Sequence, residues 1–148
     1  MSSIFRSIAA VIAGFVVASI IMTAVEALNG RVFYPEIAKA AEGVTDRETV
    51  RALLASAPAG ALLVVIAGWI LGSLAGGWTT ARIAAHARLR HALVLGALLT
   101  LAGIANNLMI PPPLWFWVVG LIVMIPAAYM GGRLGEPPVM YDSRTALT

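Results

Sequence analysis

The chain has 148 residues, of which 60% are hydrophobic and 11% are charged, and it carries a net charge of +3 and no cysteine. An ordinary soluble domain has about a quarter charged residues, and a fold this small cannot bury so much apolar surface, so the composition excludes an ordinary soluble domain. The lack of cysteine excludes disulfides and thiolate metal sites, and the basic residues lie mainly between apolar runs, which favours membrane topology over nucleic-acid binding as their role.

Four apolar runs predict four transmembrane helices. A helix needs about 20 residues, at a rise of about 1.5 Å each, to cross roughly 30 Å of hydrocarbon. The runs that meet this length are residues 4–28, 59–81, 92–110 and 114–134. The first run exceeds the apolar part of a cleaved signal peptide, so we interpret it as a retained signal-anchor helix. The predicted fold class is therefore all-α: a polytopic membrane protein whose four-helix transmembrane domain covers residues 1–134.

The polar stretch 29–58 predicts a loop outside the cytoplasm that contains a short amphipathic helix. Gly30 and Pro35 are expected to break the chain after the first span. Thr45 and Glu48 have the spacing of a capping box, in which each side chain satisfies a free backbone N–H. Apolar residues follow at helical spacing, at Val50, Leu53, Leu54 and Ala57. We expect this helix to lie on the membrane surface or on the bundle.

Small residues recur every four positions in three of the predicted spans. The positions are Ala10, Gly14 and Ala18 in the first span, Gly68, Gly72 and Gly76 in the second, and Ala127, Gly131 and Gly135 in the fourth. Such faces let helix backbones approach closely in lipid, where no hydrophobic force drives helices together. The pattern predicts tight helix packing, either within one bundle or between copies.

The basic residues predict the orientation of the bundle. With four spans, both termini and the connection of residues 82–91 lie on one side of the membrane. The six positive residues of that side are Arg6, Arg82, Arg88, Arg90, Arg133 and Arg144. The other side has four, all in the first loop and all matched by acids. The positive-inside rule then places both termini in the cytoplasm, with residues 135–148 as a disordered tail.

Three prolines separate the third span from the fourth. Asn106 and Asn107 precede these prolines, and the fourth span opens on aromatic residues. Proline lacks the backbone N–H and restricts the residue before it, so the helix must end there. Tryptophan rings prefer the membrane interface. The residues expected to anchor the helices at the two interfaces are Trp78, Trp115 and Trp117.

The polar groups inside the spans predict one candidate pocket. Glu26 lies near the outer end of the first span, and Asn106 and Asn107 lie near the outer end of the third, each roughly 3–6 Å inside its boundary. With Asn29 they can meet at one level beneath the prolines. An ionisable group inside a membrane is costly and is treated as a functional hypothesis. The alternative is that Glu26 reaches the interface and the amides bond across helices.

A motif in the second half of the chain carries a family resemblance. From Gly103 to Phe116 the chain reads Gly-Ile-Ala-Asn-x-x-Met-x-Pro-x-Pro-x-Trp-Phe, and Pro126-Ala127, Gly131-Gly132 and Tyr34-Pro35 add to the pattern. With these residues the chain resembles a family of small uncharacterised bacterial four-span integral membrane proteins. The resemblance implies a bacterial inner-membrane protein, and it carries over no catalytic residues.

Three hypotheses of function follow. The sequence has no Gly-x-Ser-x-Gly, His-Glu-x-x-His, phosphate-loop or dinucleotide motif, and His86 and His91 are too far apart to share a helix face, so we predict neither a metal nor a cofactor. The first hypothesis is a non-catalytic accessory or assembly component of the membrane. The alternative is a small oligomeric transporter or channel with a polar site around Glu26, Asn106 and Asn107, and the second alternative is an intramembrane enzyme. The expected partners are the lipid bilayer and a second copy or a membrane partner subunit, not nucleic acid.

Overall fold

The computed structural model describes residues 3–136 and shows a bundle of long helices with no β-strand in that range. The helices are α1 (Ser3–Leu28), which continues as a π-helical turn (Asn29–Phe33), then α2 (Pro35–Ala41), α3 (Arg47–Ser56), α4 (Ala59–Ile83), α5 (Arg88–Met109) and α6 (Leu114–Gly135). Four of them, namely α1 with its π-helical turn, α4, α5 and α6, are long and apolar enough to cross a membrane. The predicted all-α four-span fold class is confirmed.

Large apolar side chains cover the outside of the bundle. On α1, Ile12 and Ile20 expose 58% and 63% of their surface, and on α6 Ile122 exposes 65%. The interior instead holds many small residues, such as Ala18, Ala92 and Ala128. A surface of this kind is stable in hydrocarbon and unstable in water, as expected of a multi-pass membrane protein.

The helix α4 lies at the centre of the bundle, packed against α1, α5 and α6. Its close approach to α1 and α6 depends on glycine. A Cβ atom added at Gly76 would lie 2.6 Å from the backbone oxygen of Gly14 on α1, and one added at Gly131 on α6 would collide with the backbone oxygen of Leu74. Gly72 meets the backbone oxygen of Ala18, and Gly68 meets the side chain of Val25. The repeated small residues therefore form helix contacts within one chain.

The helices α1 and α5 contact each other less than α1 contacts α4, and less than α5 contacts α4 or α6. Leu95 of α5 fills the space beside Gly14 and Gly76. Beside this contact and from there towards Glu26, α1 and α5 leave open clefts between them. Glycine contacts hold α1 against α4. With α1 in this position, its side that faces α5 is only partly buried.

The first span is longer than predicted. The sequence analysis ended it at residue 28 and expected Gly30 to break it, whereas the chain stays helical to Phe33 and Tyr34 N donates to Asn29 O across 2.8 Å. A helical glycine costs only about 1 kcal/mol, and the side chain of Asn29 offsets this by bonding to α4. The break comes at Pro35, where α2 begins. The third span also differs from the prediction, since α5 begins at Arg88 and ends at Met109.

The loop of residues 29–58 contains two short helices rather than one. The amphipathic helix α3 is present, but the capping box of Thr45 and Glu48 is wrong, because Asp46 is the N-cap residue. Its Oδ2 accepts from the backbone N of Thr49 at 2.9 Å and from Thr49 Oγ1 at 2.7 Å. Both Thr45 and Asp46 are good cap residues, and the register of the following turn decides between them. The predicted tail falls, from residue 137 onward, outside the described residues.

Candidate functional site

The side chain of Glu26 on α1 accepts a hydrogen bond from a tryptophan in the core of the bundle. Its Oε1 accepts a hydrogen bond from Trp69 Nε1 of α4 at 3.3 Å. The Trp69 side chain is only 5% exposed and packs edge-on against Phe116 of α6, with ring centroids 5.1 Å apart. Because the α1 helix runs on to Phe33, Glu26 lies roughly 10 Å from its outer end, deeper than the predicted boundary placed it.

A cleft of about 180 Å³ opens beside Glu26 between α1 and α5. Its polar end is formed by the carboxylate of Glu26 and the amide of Asn106, both on exposed residues. The hydroxyl of Ser19 also lines the cleft but donates to the backbone oxygen of Phe15 at 2.9 Å. The carboxylate and the Asn106 amide are therefore the polar groups that an incoming molecule meets.

An apolar cleft of about 370 Å³ continues along the same two helices. Phe15 and Ala102 line both clefts, so the two adjoin. The other residues of the apolar cleft are Val11, Ile12, Val16 and Leu98. We call the two clefts together the α1–α5 groove. It runs from an apolar end, in the middle of the bundle, to a polar end at Glu26.

A smaller cavity of about 120 Å³ adjoins the polar end, beneath α3 and the turn formed by residues 111–113, which we call the proline turn. Glu26, Trp69 and Asn106 line this cavity as well as the groove. Asn107 also lines it, is only 1% exposed, and has no hydrogen-bond partner among residues 3–136 for either side-chain atom. An unpartnered buried amide costs stability, so no contact within the described residues explains why an amide is buried at Asn107.

The helix α3 lies across the outer end of this cavity. Arg47 Nη2 donates to the backbone oxygen of Leu108 at 3.0 Å, which joins the start of α3 to the end of α5. Leu54 of α3 lines the cavity together with Pro112, and Leu54 and Ala57 pack against the hydrophobic core. The helix α3 and the proline turn therefore together cover Glu26, Asn106 and Asn107, whereas the sequence predicted that the prolines alone would lie over them.

The structure brings together three of the four residues predicted for the pocket. Glu26, Asn106 and Asn107 line the adjoining cavities, but Asn29 lines neither of them. Its Nδ2 donates to the backbone oxygen of Ala61 on α4 at 3.0 Å, and its Oδ1 has no partner in the part of the chain that is described. Asn29 is therefore a contact between α1 and α4, which corrects its predicted place in the pocket.

Sequence reasoning missed two residues of the site, Trp69 and Arg47. A tryptophan in the middle of a span is a usable signal, because a buried indole N–H needs an acceptor. Glu26 is the only acidic residue within the four spans as described, so it was the natural candidate. A first span that ends at residue 28 places Glu26 too close to the interface to reach Trp69, so the sequence does not predict this hydrogen bond.

The predicted interface anchors lie at both ends of the bundle. Trp78 is exposed at one end of α4, where the guanidinium of Arg82 lies 5.2 Å from its ring centroid. Trp115 and Trp117 begin α6 at the other end, beside the proline turn. The basic residues of the Trp78 end include Arg6, whose Nε donates to the backbone oxygen of Ile83 at 2.8 Å.

The chemistry of the site is that of a binding site with one charge. The carboxylate of Glu26 can accept hydrogen bonds or attract a positive group, and the amide of Asn106 can donate or accept. Within residues 3–136 no group of three His, Asp or Glu side chains is placed to hold a metal ion. Comparisons with protein-family models, with curated proteins and with solved structures found no significant match to the chain.

Proposed function

We propose that this protein is a non-catalytic component of the membrane that binds another molecule in the α1–α5 groove, in the manner of an accessory or assembly protein. The observation that carries the proposal is the carboxylate of Glu26 at the polar end of an apolar cleft. A carboxylate within a membrane span is costly. A bound molecule that reaches Glu26 through the groove offsets that cost.

The shape of the bundle supports the same proposal. Ligand pockets commonly have volumes of about 300–1,000 Å³, and the apolar part of the groove alone has about 370 Å³. Elsewhere α4 meets α1 and α6 backbone to backbone through Gly76 and Gly131, which leaves little room between those helices. The glycine contacts thus provide a rigid frame, and the weak contact between α1 and α5 provides the opening.

The proposal includes an orientation in the bacterial inner membrane with both termini in the cytoplasm. Arg6 and Arg82 lie at one end of the bundle, beside the end of α4, and Arg133 lies in the last turn of α6. The positive-inside rule supports the placement of this end in the cytoplasm. The polar end of the groove then faces the outer leaflet, under α3.

The test is to identify what the groove holds. The protein is purified from its membrane into nanodiscs, and native mass spectrometry records the bound molecules and the oligomeric state. Ala102→Phe fills the groove where its two clefts adjoin, and Val119→Phe adds the same ring to a lipid-facing position of α6. We expect a molecule that stays bound to the wild type and to Val119→Phe and is lost from Ala102→Phe. Equal binding by all three proteins would refute the proposal.

The transporter alternative is favoured by one observation. The cavity beneath α3 and the groove share Glu26, Trp69 and Asn106, so a molecule in the groove has a second space next to it on the outer side. A transporter would move its ligand through that space when α3 shifts. Flux of the bound molecule into liposomes distinguishes the alternatives. Transport predicts flux that Arg47→Ala alters and Arg51→Ala does not, since Arg47 holds α3 to α5. An accessory protein binds without flux.

A further inference from the structure

We propose that the molecule bound in the α1–α5 groove is a cationic amphiphile, with a positively charged organic head at Glu26 and a hydrocarbon chain along the apolar cleft. This inference rests on the proposed function and names the class of its ligand. It depends on three features of the site: the charge of Glu26, the small number of oxygen ligands around it, and the apolar surface that continues from it.

The first feature is a carboxylate without a counter-charge in the chain. Among residues 3–136, the one hydrogen-bond partner of Glu26 is the neutral N–H of Trp69, and no ion pair with a Lys or Arg side chain is formed. Opposite charges attract far more strongly at low dielectric than in water. A cation that enters the groove is therefore attracted to the Glu26 carboxylate, whereas an anion of the same shape is repelled.

The second feature excludes a metal ion as the cation. Calcium takes about 6–8 oxygen ligands and magnesium prefers octahedral coordination, whereas the polar end offers the Glu26 carboxylate and the Asn106 amide. The side chain of Trp69 lines the same end, and the ring of Phe15 lines the groove further along, where the two clefts adjoin. An organic ammonium group needs few oxygen ligands and binds well to aromatic faces. The wall of the site therefore suits an organic cation.

The third feature is the hydrocarbon surface that leads away from the charge. Beyond Phe15 and Ala102 the groove is lined by Val11, Ile12, Val16 and Leu98. These side chains offer no hydrogen bonds, so the apolar end suits an alkyl or similar apolar chain. Because the groove lies between two lipid-facing helices, such a chain can enter sideways from the bilayer. A head and a chain on one molecule match the two ends of the groove.

The experiment uses the fluorescence of Trp69 in nanodiscs. The other three of the four tryptophans, at 78, 115 and 117, are replaced by Phe so that Trp69 alone reports. The probes are decyltrimethylammonium, decanesulfonate and decanol, which share a chain and differ in charge. Empty nanodiscs measure partition into lipid. We expect saturable binding of the cation, and binding of the anion and the alcohol at least roughly tenfold weaker.

Variants locate the charge that matters. Glu26→Gln should weaken binding of decyltrimethylammonium roughly tenfold or more. Glu26→Asp keeps the negative charge and should retain part of the wild-type affinity. Glu36→Gln removes an exposed carboxylate of the outer loop and should leave binding unchanged. Circular dichroism and gel filtration check that each variant folds. If Glu26→Gln does not fold, the preference of the wild type for the cation over decanol decides the question.

The possible results distinguish the proposal that the groove binds a ligand from the proposal that this ligand is a cationic amphiphile. If all three probes bind alike, regardless of Glu26→Gln, but Ala102→Phe abolishes their binding, the groove is a ligand site and the cationic class is refuted. If no probe binds above empty nanodiscs and Ala102→Phe retains every co-purified molecule, the groove is not a ligand site and both proposals fail. Saturable, charge-selective binding that requires Glu26 supports both.

Discussion

The indole N–H of Trp69 donates to the carboxylate of Glu26 across 3.3 Å, joining α4 to α1 at the polar end of the α1–α5 groove. This contact determines which part of the Glu26 carboxylate remains open to a ligand. One oxygen is held by the indole, and the carboxylate stays accessible from the groove between α1 and α5. The pair is thus both a structural link between helices and the polar end of the proposed binding site.

Trp69→Phe tests how much this hydrogen bond contributes to the stability of the folded protein. Phenylalanine keeps an aromatic ring against Phe116 and removes the donor, so the carboxylate loses its neutral partner. We expect a loss of stability of about 1–3 kcal/mol, measured by unfolding in mixed micelles with rising dodecyl sulfate. Trp115→Phe, at an exposed position, is the matched control and should change stability by less than about 0.5 kcal/mol. A Trp69→Phe protein as stable as the control would mean that the hydrogen bond contributes nothing.

Gly131→Ala tests the backbone contact between α6 and α4. The new methyl group would meet the backbone oxygen of Leu74, which cannot move away as a flexible side chain does. We expect destabilisation of about 1–3 kcal/mol, despite the better helix propensity of alanine. Gly30→Ala is the control, since its nearest neighbour is the Ala38 side chain at 3.3 Å. The same micelle unfolding assay measures both, and equal stability of the two variants would contradict the contact.

The two buried asparagines should respond in opposite ways to replacement by leucine. Asn107 has no partner for either polar atom within the described chain, whereas Asn29 donates to Ala61 O at 3.0 Å. Removing an unpartnered buried amide is neutral or stabilising, and removing a bonded one leaves the carbonyl unpaired. We expect Asn107→Leu to keep or raise stability and Asn29→Leu to lower it by about 1–3 kcal/mol. Destabilisation of both by a similar amount would show that Asn107 also makes a stabilising contact.

The start of α3 should depend on pH through Asp46. Its hydrogen bonds from the Thr49 hydroxyl and backbone N–H hold the pKa of Asp46 below its ordinary value of 3.8. Because the pKa is lower in the folded state, the contribution to stability is present above the unfolded value and is lost as the pH falls through the folded value. The protection of the first α3 amides against hydrogen exchange, measured relative to the intrinsic exchange rate at each pH, should therefore fall below pH 3.8.

Two variants check that Asp46 is the group responsible. Asp46→Asn keeps a good cap but cannot titrate, so the loss of protection at low pH should disappear. Thr45→Ala should leave exchange unchanged, because Thr45 is not the N-cap residue of α3. A large effect of Thr45→Ala, with none from Asp46→Ala, would favour the capping box that the sequence suggested.

The errors of the sequence analysis have a common physical cause. Ends of helices are set by weak local preferences, and tertiary contacts override them. Gly30 stays helical beside Asn29, which bonds to α4, and Asp46 rather than Thr45 caps α3 because of the register of the next turn. Ending the first span at residue 28 then placed Glu26 too shallow. With a span that ends there, the sequence predicts Asn29 beside Glu26 in the pocket and does not predict the contact with Trp69.

The sequence by itself determined the four membrane spans, since the length and hydrophobicity of a run decide whether a helix can cross hydrocarbon, whatever surrounds it. It also determined the small-residue positions, because close backbone approach in lipid needs them. Only the tertiary structure decided that α1 and α5 separate, that Glu26 pairs with Trp69 and that α3 lies over Asn107. Those relations depend on how far helices extend and rotate against each other, which periodicity alone does not specify.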